Sequence, residues 1–419
     1  MFKNIVTFSL LFIMVFSLVP HSVVSASNNG LKSTGEKVPN QYIVILKEDS
    51  SPEIVANEAR GKGAEVLHVY DNAVKGFAAR VSNALALDDI KNDPRVAYIE
   101  QDQVVTAFAQ NAVESFAQIL PTGVDRADAD ISSTTAGDGA GSVDVNIAII
   151  DTGIDLTHPD LNVYKQKSFV KSVKTANDDN GHGSHVAGIA AAKDNGIGVV
   201  GIAPGAKLWA VKVLSRSGSG SISDVIAGIN YVTQNAGEIG VANMSLGCQC
   251  SSSALDTAIH NSVLAGVTYV VAAGNSATDA STFSPANHPD VIAVSAIVDT
   301  DGKCGGLGTS TSYGNDDTFA SFSNFGSTVD IAAPGVKIYS TYKGGSFATL
   351  SGTSMASPHV AGAAALYEST HSGASPADIK TALTGSGSMP STTCDGKGHG
   401  YFTGDTDGIS EPLLYTAGY

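Results

Sequence analysis

The sequence predicts an α/β fold, a mostly parallel central sheet flanked by helices on both faces, preceded by a small α+β unit. Three observations carry this expectation. Residues 145–150, 208–213 and 267–273 are apolar but for Asn146, Lys212 and Thr268, close to the continuous runs of strands buried on both faces. They alternate with helical stretches at 186–192 and 223–235, the pattern that crossover connections give a parallel sheet. Upstream the rhythm differs: short strands at 41–46, 77–81 and 96–99 and helices at 51–61 and 83–92 close a compact unit near Val105. Residues 106–115, polar and weakly patterned, read as a connector.

With 419 residues, 43% hydrophobic and 15% charged, the chain can bury a large core and is expected to hold more than one domain. Its net charge of −16 argues against a nucleic acid or an anionic membrane as the main partner and suits cation binding. At the N-terminus, Lys3, the apolar run 5–19 and Val24-Ser25-Ala26 form the three regions of a secretory signal, with a cut after Ala26. That run is shorter than the ~20 apolar residues that span a bilayer. The expected mature protein is therefore secreted and free of the membrane. Export permits disulfides among Cys248, Cys250, Cys304 and Cys394, and three pairings stay open. Cys248-Gln249-Cys250 lacks the two-residue spacer of zinc and redox motifs, which favours structural bridges.

Chemistry concentrates at element ends next to glycine. Ser354 follows Gly352-Thr353 at the entry to an apolar helix, where it is either a helix cap or a nucleophile beside unpaired backbone N–H groups. Asp151, in Asp151-Thr152-Gly153, ends a strand, as the reactive groups of α/β sheets do. His182 lies between Gly181 and Gly183 at a helix start and is the natural proton shuttle near neutral pH. His185, further into the same helix, reads as an ordinary hydrogen-bonded side chain. Asn275 follows a strand and Gly274, placed either to make a turn or to donate to a developing oxyanion.

Asp151-Thr152-Gly153, His182-Gly183-Ser184-His185-Val186-Ala187-Gly188 and Gly352-Thr353-Ser354-Met355-Ala356-Ser357-Pro358-His359 together resemble the three signatures of the subtilisin-like serine proteases. Their order, Asp then His then Ser, is that of subtilisin. The likeness runs from about Gln118 to Leu414, and the unit before it resembles the family's inhibitory propeptide, a ferredoxin-like domain. Ser184, where Thr is more usual, and Gly181 depart from the pattern without removing a reactive group. The resemblance implies a nucleophile Ser354, a general base and acid His182 and an orienting Asp151. Asn275, the Ser354 backbone N–H and Thr353 would form the oxyanion hole.

Further expectations follow from the resemblance. An extended peptide would pair with Gly218-Ser219-Gly220 and Ser245-Leu246-Gly247. Its first pocket, walled by 245–247 and by Ala272, Ala273 and Gly274, carries no charge, which implies cutting after large apolar or aromatic residues. A structural Ca2+ would be held by Asp160, Asn195, Gln118 and the carbonyls of Lys193, Ile197 and Val199. A second, weaker site would use Asp330 with the carbonyls of Pro289 and Val291. The implied organisation is a signal peptide at 1–26, a propeptide at 27–108 with its core at about 38–106, and a peptidase domain at 109–419. The propeptide would end either at Phe108-Ala109, which is favoured, or at Phe116-Ala117. The expected enzyme is a secreted, monomeric, self-processed endopeptidase of protein and peptide substrates, inhibited by its own propeptide. The non-enzyme alternative is an inactive binding protein of the same fold.

Competing motifs fall away. The stretch 352–356 lacks the second glycine of the α/β-hydrolase elbow, and His182-Gly183-Ser184-His185 lacks the glutamate and spacing of a zinc peptidase. Asp405-Thr406-Asp407-Gly408 starts like a calcium loop without continuing as one, and reads as a surface turn. The polar insertion at 300–317 has no assigned purpose.

Overall fold

The computed structural model describes residues 35–107 and 117–419. The expected signal segment, and the candidate processing residues Phe108, Ala109 and Phe116, lie outside them. The first described unit comprises β1 (Lys37–Leu46), α1 (Pro52–Gly61), β2 (Glu65–Tyr70), β3 (Gly76–Arg80), α2 (Ala84–Lys91) and β4 (Val96–Ala107). Its antiparallel strands lie in the order β4-β1-β3-β2, the ferredoxin-like arrangement. Alternation sets its two faces. Val44, Leu46, Phe77 and Ala79 pack on Val55, Ala59 and Ile90 of the two helices, while Ile43, Ile45 and Ala78 turn to the opposite side.

Two features of this unit depart from the sequence reading. β2 was not expected: its first residues are only partly buried and its pairing with β3 slips between Val66 and His68, so no clean alternation announces it. β4 extends to Ala107, well beyond the expected strand at 96–99 and into the expected connector. Residues 104–107 are strand because backbone of the second domain pairs with them on both sides.

The second domain begins with α3 (Thr122–Arg126), β5 (Asn146–Asp151), β6 (Val163–Ser168), α4 (His182–Ala191) and β7 (Lys207–Lys212). It continues through β8 (Ser219–Ser221), α5 (Ile222–Gln234), β9 (Ile239–Met244), β10 (Leu246–Gly247), α6 (Ser253–Leu264) and β11 (Thr268–Ala272). β12 (Ile292–Val298), β13 (Thr318–Phe319), β14 (Ile331–Pro334), the hairpin β15 (Ile338–Tyr342) and β16 (Ser346–Leu350), α7 (Thr353–Thr370) and α8 (Pro376–Ser386) complete it. The central sheet runs β6-β7-β5-β9-β11-β12-β14, every neighbouring pair parallel. β13 adds antiparallel to β12.

The period of two along β5 shows why helices cover both faces. Ile147 and Ile149 pack with Val186 of α4 and Ala363 of α7. Ala148 and Ile150 face the other way, onto Val225 and Ile229 of α5 and Ile259 of α6. The second face of the upstream unit joins this latter layer, placing Ile43, Ile45, Tyr70 and Val74 in one apolar cluster with Ile222 and Val225. Two carboxylates complete the joint. Asp102 accepts the Ser223 N–H at 3.1 Å and Glu100 the Ala254 N–H at 2.6 Å, at the first turns of α5 and α6, where free N–H groups and the helix dipole favour negative charge. Burial pushes both carboxyls up, opposed by these hydrogen bonds. Among the described residues no helix is long and apolar enough to cross a membrane.

Candidate active site

β5 ends in Asp151 and α4 begins with His182, and the structure brings their side chains into contact. His182 Nδ1 donates to the Asp151 carboxylate, 2.8 Å from Oδ1 and 2.9 Å from Oδ2, in a site closed to solvent. With Nδ1 carrying the proton, Nε2 of the neutral ring is the basic nitrogen. Glycine makes the approach possible on both sides of the histidine. Gly181 adopts φ 115°, and a Cβ there would strike the Tyr342 ring. A Cβ on Gly183 would strike the Gly153 carbonyl and press on Asp151. Sequence reasoning missed the group that ties these segments together. The Asp178 carboxylate accepts the Thr152 hydroxyl at 2.9 Å, the N–H groups of Asn180, Gly181 and Ser184, and the Ser184 hydroxyl at 2.7 Å. Beneath it, the buried Lys212 ammonium donates to the Thr152 carbonyl and to Asp179. His185 behaves as a core residue: its ring nitrogen bonds the Ile338 and Ala348 carbonyls, and burial pushes its pKa down to about 3.

Ser354 lies in the first turn of α7, where its backbone N–H has no intrahelical partner to expect. Four residues on, Pro358 removes the N–H that would bond the Ser354 carbonyl. The Ser245 hydroxyl takes that place, donating to the Ser354 carbonyl at 2.9 Å, while the Ser354 hydroxyl donates to the Ser245 carbonyl at 3.1 Å. The segment that precedes β10 is thus fastened to the serine. Asn275 stands beside them, its Oδ1 accepting the Thr353 N–H at 2.9 Å and the Thr353 hydroxyl at 2.8 Å. Because both partners are donors, the oxygen end of the amide is fixed and the NH2 end is what Asn275 can offer. The Thr353 hydroxyl proton is committed to Asn275, so Thr353 orients the amide where the sequence reading had placed it among the oxyanion donors. Another missed residue, Asn324, braces this corner by donating to the Ala273 carbonyl and accepting the N–H groups of Ser276 and Thr278.

The two segments expected to rim a peptide channel flank a strand of the protein's own chain. On one side, Val104, Val105 and Thr106 of β4 pair antiparallel with Ser221, Gly220 and Ser219 of β8, and the Ala107 N–H reaches the Gly218 carbonyl at 2.8 Å. On the other, Thr106 and Ala107 pair with Gly247 and Leu246 of β10. Ala272 ends β11, Ala273 and Gly274 follow it, and all three are buried and uncharged.

The expected cation residues fare unevenly. Asp160 is fully buried, and the loop after α4 wraps it, Val199 N–H at 3.0 Å from Oδ2 and Asn195 Nδ2 at 3.1 Å from Oδ1. Burial pushes its carboxyl up to about 6. Lys193, at the start of that loop, spends its ammonium on the Pro159 carbonyl. Gln118 reaches the same loop, but its Oε1 accepts the N–H groups of Asn195 and Gly196 and its Nε2 donates to Asp194. The oxygen donors suit a hard cation, provided the Gln118 and Asn195 amides turn over. The second expected site is corrected. Its three oxygens receive the Lys380 ammonium of α8: Pro289 O at 3.1 Å, Val291 O at 2.7 Å and Asp330 Oδ1 at 2.8 Å. Elsewhere Asp299, Asp301 and Asp316 bring one ligand atom each within 4.8 Å of one another, and the buried Arg126 lies 3.2 Å from Asp299. The cysteines pair as Cys248–Cys250 and Cys304–Cys394. The second bridge ties the 300–317 insertion to the C-terminal segment.

Comparison with known proteins finds relatives over most of the chain. Residues 142–400 match the family described as the subtilase family, and residues 41–108 match peptidase inhibitor I9. Subtilisin E of Bacillus subtilis strain 168 is 39% identical over 373 residues, 87% of this chain and 87% of that protein. An alkaline protease of Alkalihalobacillus alcalophilus is 38% identical over 360 residues, 86% of this chain and 83% of the relative. Among solved structures, a cold-adapted subtilisin-like serine proteinase superposes with a TM-score of 0.57 at 36% identity, covering 70% of this chain and 97% of the other.

Proposed function

This chain belongs to the subtilase family as a subtilisin-like serine endopeptidase with an I9 propeptide domain, and from that premise we propose that Ser354, His182 and Asp151 carry out its chemistry. In this reading the Ser354 hydroxyl turns from the Ser245 carbonyl to His182 Nε2, which takes its proton as Oγ attacks the scissile carbonyl. Asp151 holds the tautomer and stabilises the imidazolium. The Asn275 NH2 and the Ser354 N–H bind the tetrahedral oxyanion. His182 then protonates the leaving amine, and a water attacks the acyl-enzyme by the same route in reverse. Asp178 and Thr353 touch no reacting atom in this scheme and act by position.

The observation that carries the reading is β4 between β8 and β10. A chain held by backbone hydrogen bonds on both edges, next to the segment bonded to Ser354, is held as an extended substrate would be. Its last paired residue is Ala107, which supports a cut after Phe108 in preference to Phe116 and domain limits of 1–26, 27–108 and 109–419. The uncharged wall 272–274 supports a preference for large apolar or aromatic residues before the cut. We take the enzyme to be a secreted monomer acting on proteins and peptides, with neither nucleic acid nor membrane as partner. Calcium, when bound, supplies a charge that ties loops together, and Asp160, Asn195, Gln118 and the carbonyls of Lys193, Ile197 and Val199 would hold it. Calorimetric titration showing no Ca2+ uptake by chelator-treated protein would remove that assignment.

The decisive experiment labels the processed protein with a serine-reactive phosphonate and maps the adduct. Labelling at Ser354, together with an unprocessed Ser354→Ala precursor, is the expected result. No labelling, or processing of purified Ser354→Ala on its own, would return the chain to the inactive binding-protein alternative or to processing by another enzyme.

A further inference from the structure

The Lys380 ammonium sits where three oxygens from two places in the chain converge. Pro289 and Val291 contribute carbonyls from the turn that leads into β12, and Asp330 contributes Oδ1 from the residue before β14. An ammonium has three N–H donors, and these three oxygens lie 2.7 to 3.1 Å from Nζ. The other Asp330 oxygen accepts the Ala293 N–H at 2.9 Å, which fixes the carboxylate in the plane of the sheet edge. Two carbonyls and a carboxylate form a hard-oxygen set of the kind that binds Ca2+ at 2.3 to 2.6 Å. Here a side chain on the middle of α8 supplies the positive charge, and its stem comes from the protein itself.

We propose that Lys380 is a built-in cation, which closes this oxygen cluster to metal ions and joins α8 to the edge of the central sheet without needing one. Two things follow from the chemistry. A metal ion cannot enter while the ammonium is present, because it would meet a like charge at contact distance with the oxygens already engaged. Removing the ammonium while keeping the oxygens leaves an uncompensated carboxylate and two carbonyls around a space open to water, which is a weak calcium site. With one carboxylate among its ligands, its Kd should be on the order of 10⁻⁴ to 10⁻³ M.

The test is calorimetric Ca2+ titration and thermal melting of chelator-treated, phosphonate-blocked or precursor protein. Lys380→Ala should take up one more Ca2+ than wild type. Its melting temperature should rise more steeply with millimolar Ca2+ than wild type's does. The double variant Lys380→Ala with Asp330→Asn should lose the added ion. Asp330→Asn alone should leave the wild-type stoichiometry unchanged, a measurement that stands even if Lys380→Ala fails to fold. Loss of one bound Ca2+ in Asp330→Asn would overturn the proposal, since it would mean that the cluster takes metal despite the lysine. Equal uptake by a folded Lys380→Ala and wild type would overturn it as well.

Discussion

In the proposed mechanism Asn275 and Thr353 divide one task between them: the amide would face the place where charge develops, and the hydroxyl and N–H of Thr353 fix which end of the amide faces out. Asn275→Ala should therefore lower kcat about 10²- to 10³-fold with KM little changed, the magnitude known from subtilisin's own side-chain donor. Thr353→Val, which loses the hydroxyl hydrogen bond but keeps the N–H, should cost about tenfold, as one neutral hydrogen bond would. If steady-state kinetics gave the two variants equal losses, the division of labour would be wrong. Asp151, His182, Ser354 and Asn275 could be singled out in the sequence because each lies within two residues of a glycine at an element end, a local signature. Asp178 and Asn324 could not. Asp178 ties its own flank to the strand end only through Thr152, 26 positions away, and Asn324 braces Ala273, 51 positions away, and such distant partners leave no local signature.

At the scale of elements, α5 and α6 present their N-terminal turns to the upstream domain, and Asp102 and Glu100 fill them. Asp102 also accepts Gln41 Nε2 at 2.6 Å and the Ser223 hydroxyl, so its removal strands donors on both sides of the joint. Asp102→Ala should weaken the propeptide as an inhibitor by about 10- to 100-fold, the equivalent of ~1–3 kcal/mol, measured as Ki of the added propeptide against mature enzyme. An unchanged Ki would show that the apolar face alone holds the joint. Periodicity found α1, α2, α4, α5 and α7 and the buried strands β5, β7 and β11 because burial on one or both faces leaves a repeat in the sequence. It missed β2 and the end of β4 for a single reason. Those residues are strands on account of what pairs with them, and backbone pairing imposes no pattern on side chains.

At the scale of the molecule, the C-terminal segment carries a buried acid. Glu411 is held by the Ser295 hydroxyl close to Asp405 and Asp407, and burial followed by those like charges pushes its pKa up to about 7. A carboxyl whose folded pKa is raised binds a proton on folding. The stability it contributes is present in full below its unfolded pKa of ~4.3 and is lost as pH rises through about 7. Glu411→Gln should thus be more stable than wild type at pH 8 by ~3 kcal/mol and close to it near pH 4.5. Thermal melts at the two pH values check this, and a gap that widened toward acid would refute it. The division into two domains was legible from the change of rhythm near residue 105. The disulfide partners were not, because four cysteines without coordinates allow every pairing, and the Lys380 contact depends on a helix meeting a turn 89 to 91 positions earlier. One consequence belongs to time. If, as proposed, β4 lies between β8 and β10 as an extended substrate would, a propeptide released after the cut should itself be food for any enzyme already free. Activation should then feed on its own product: a quiet interval, shorter in denser solutions and abolished by a trace of mature enzyme, should give way to a burst.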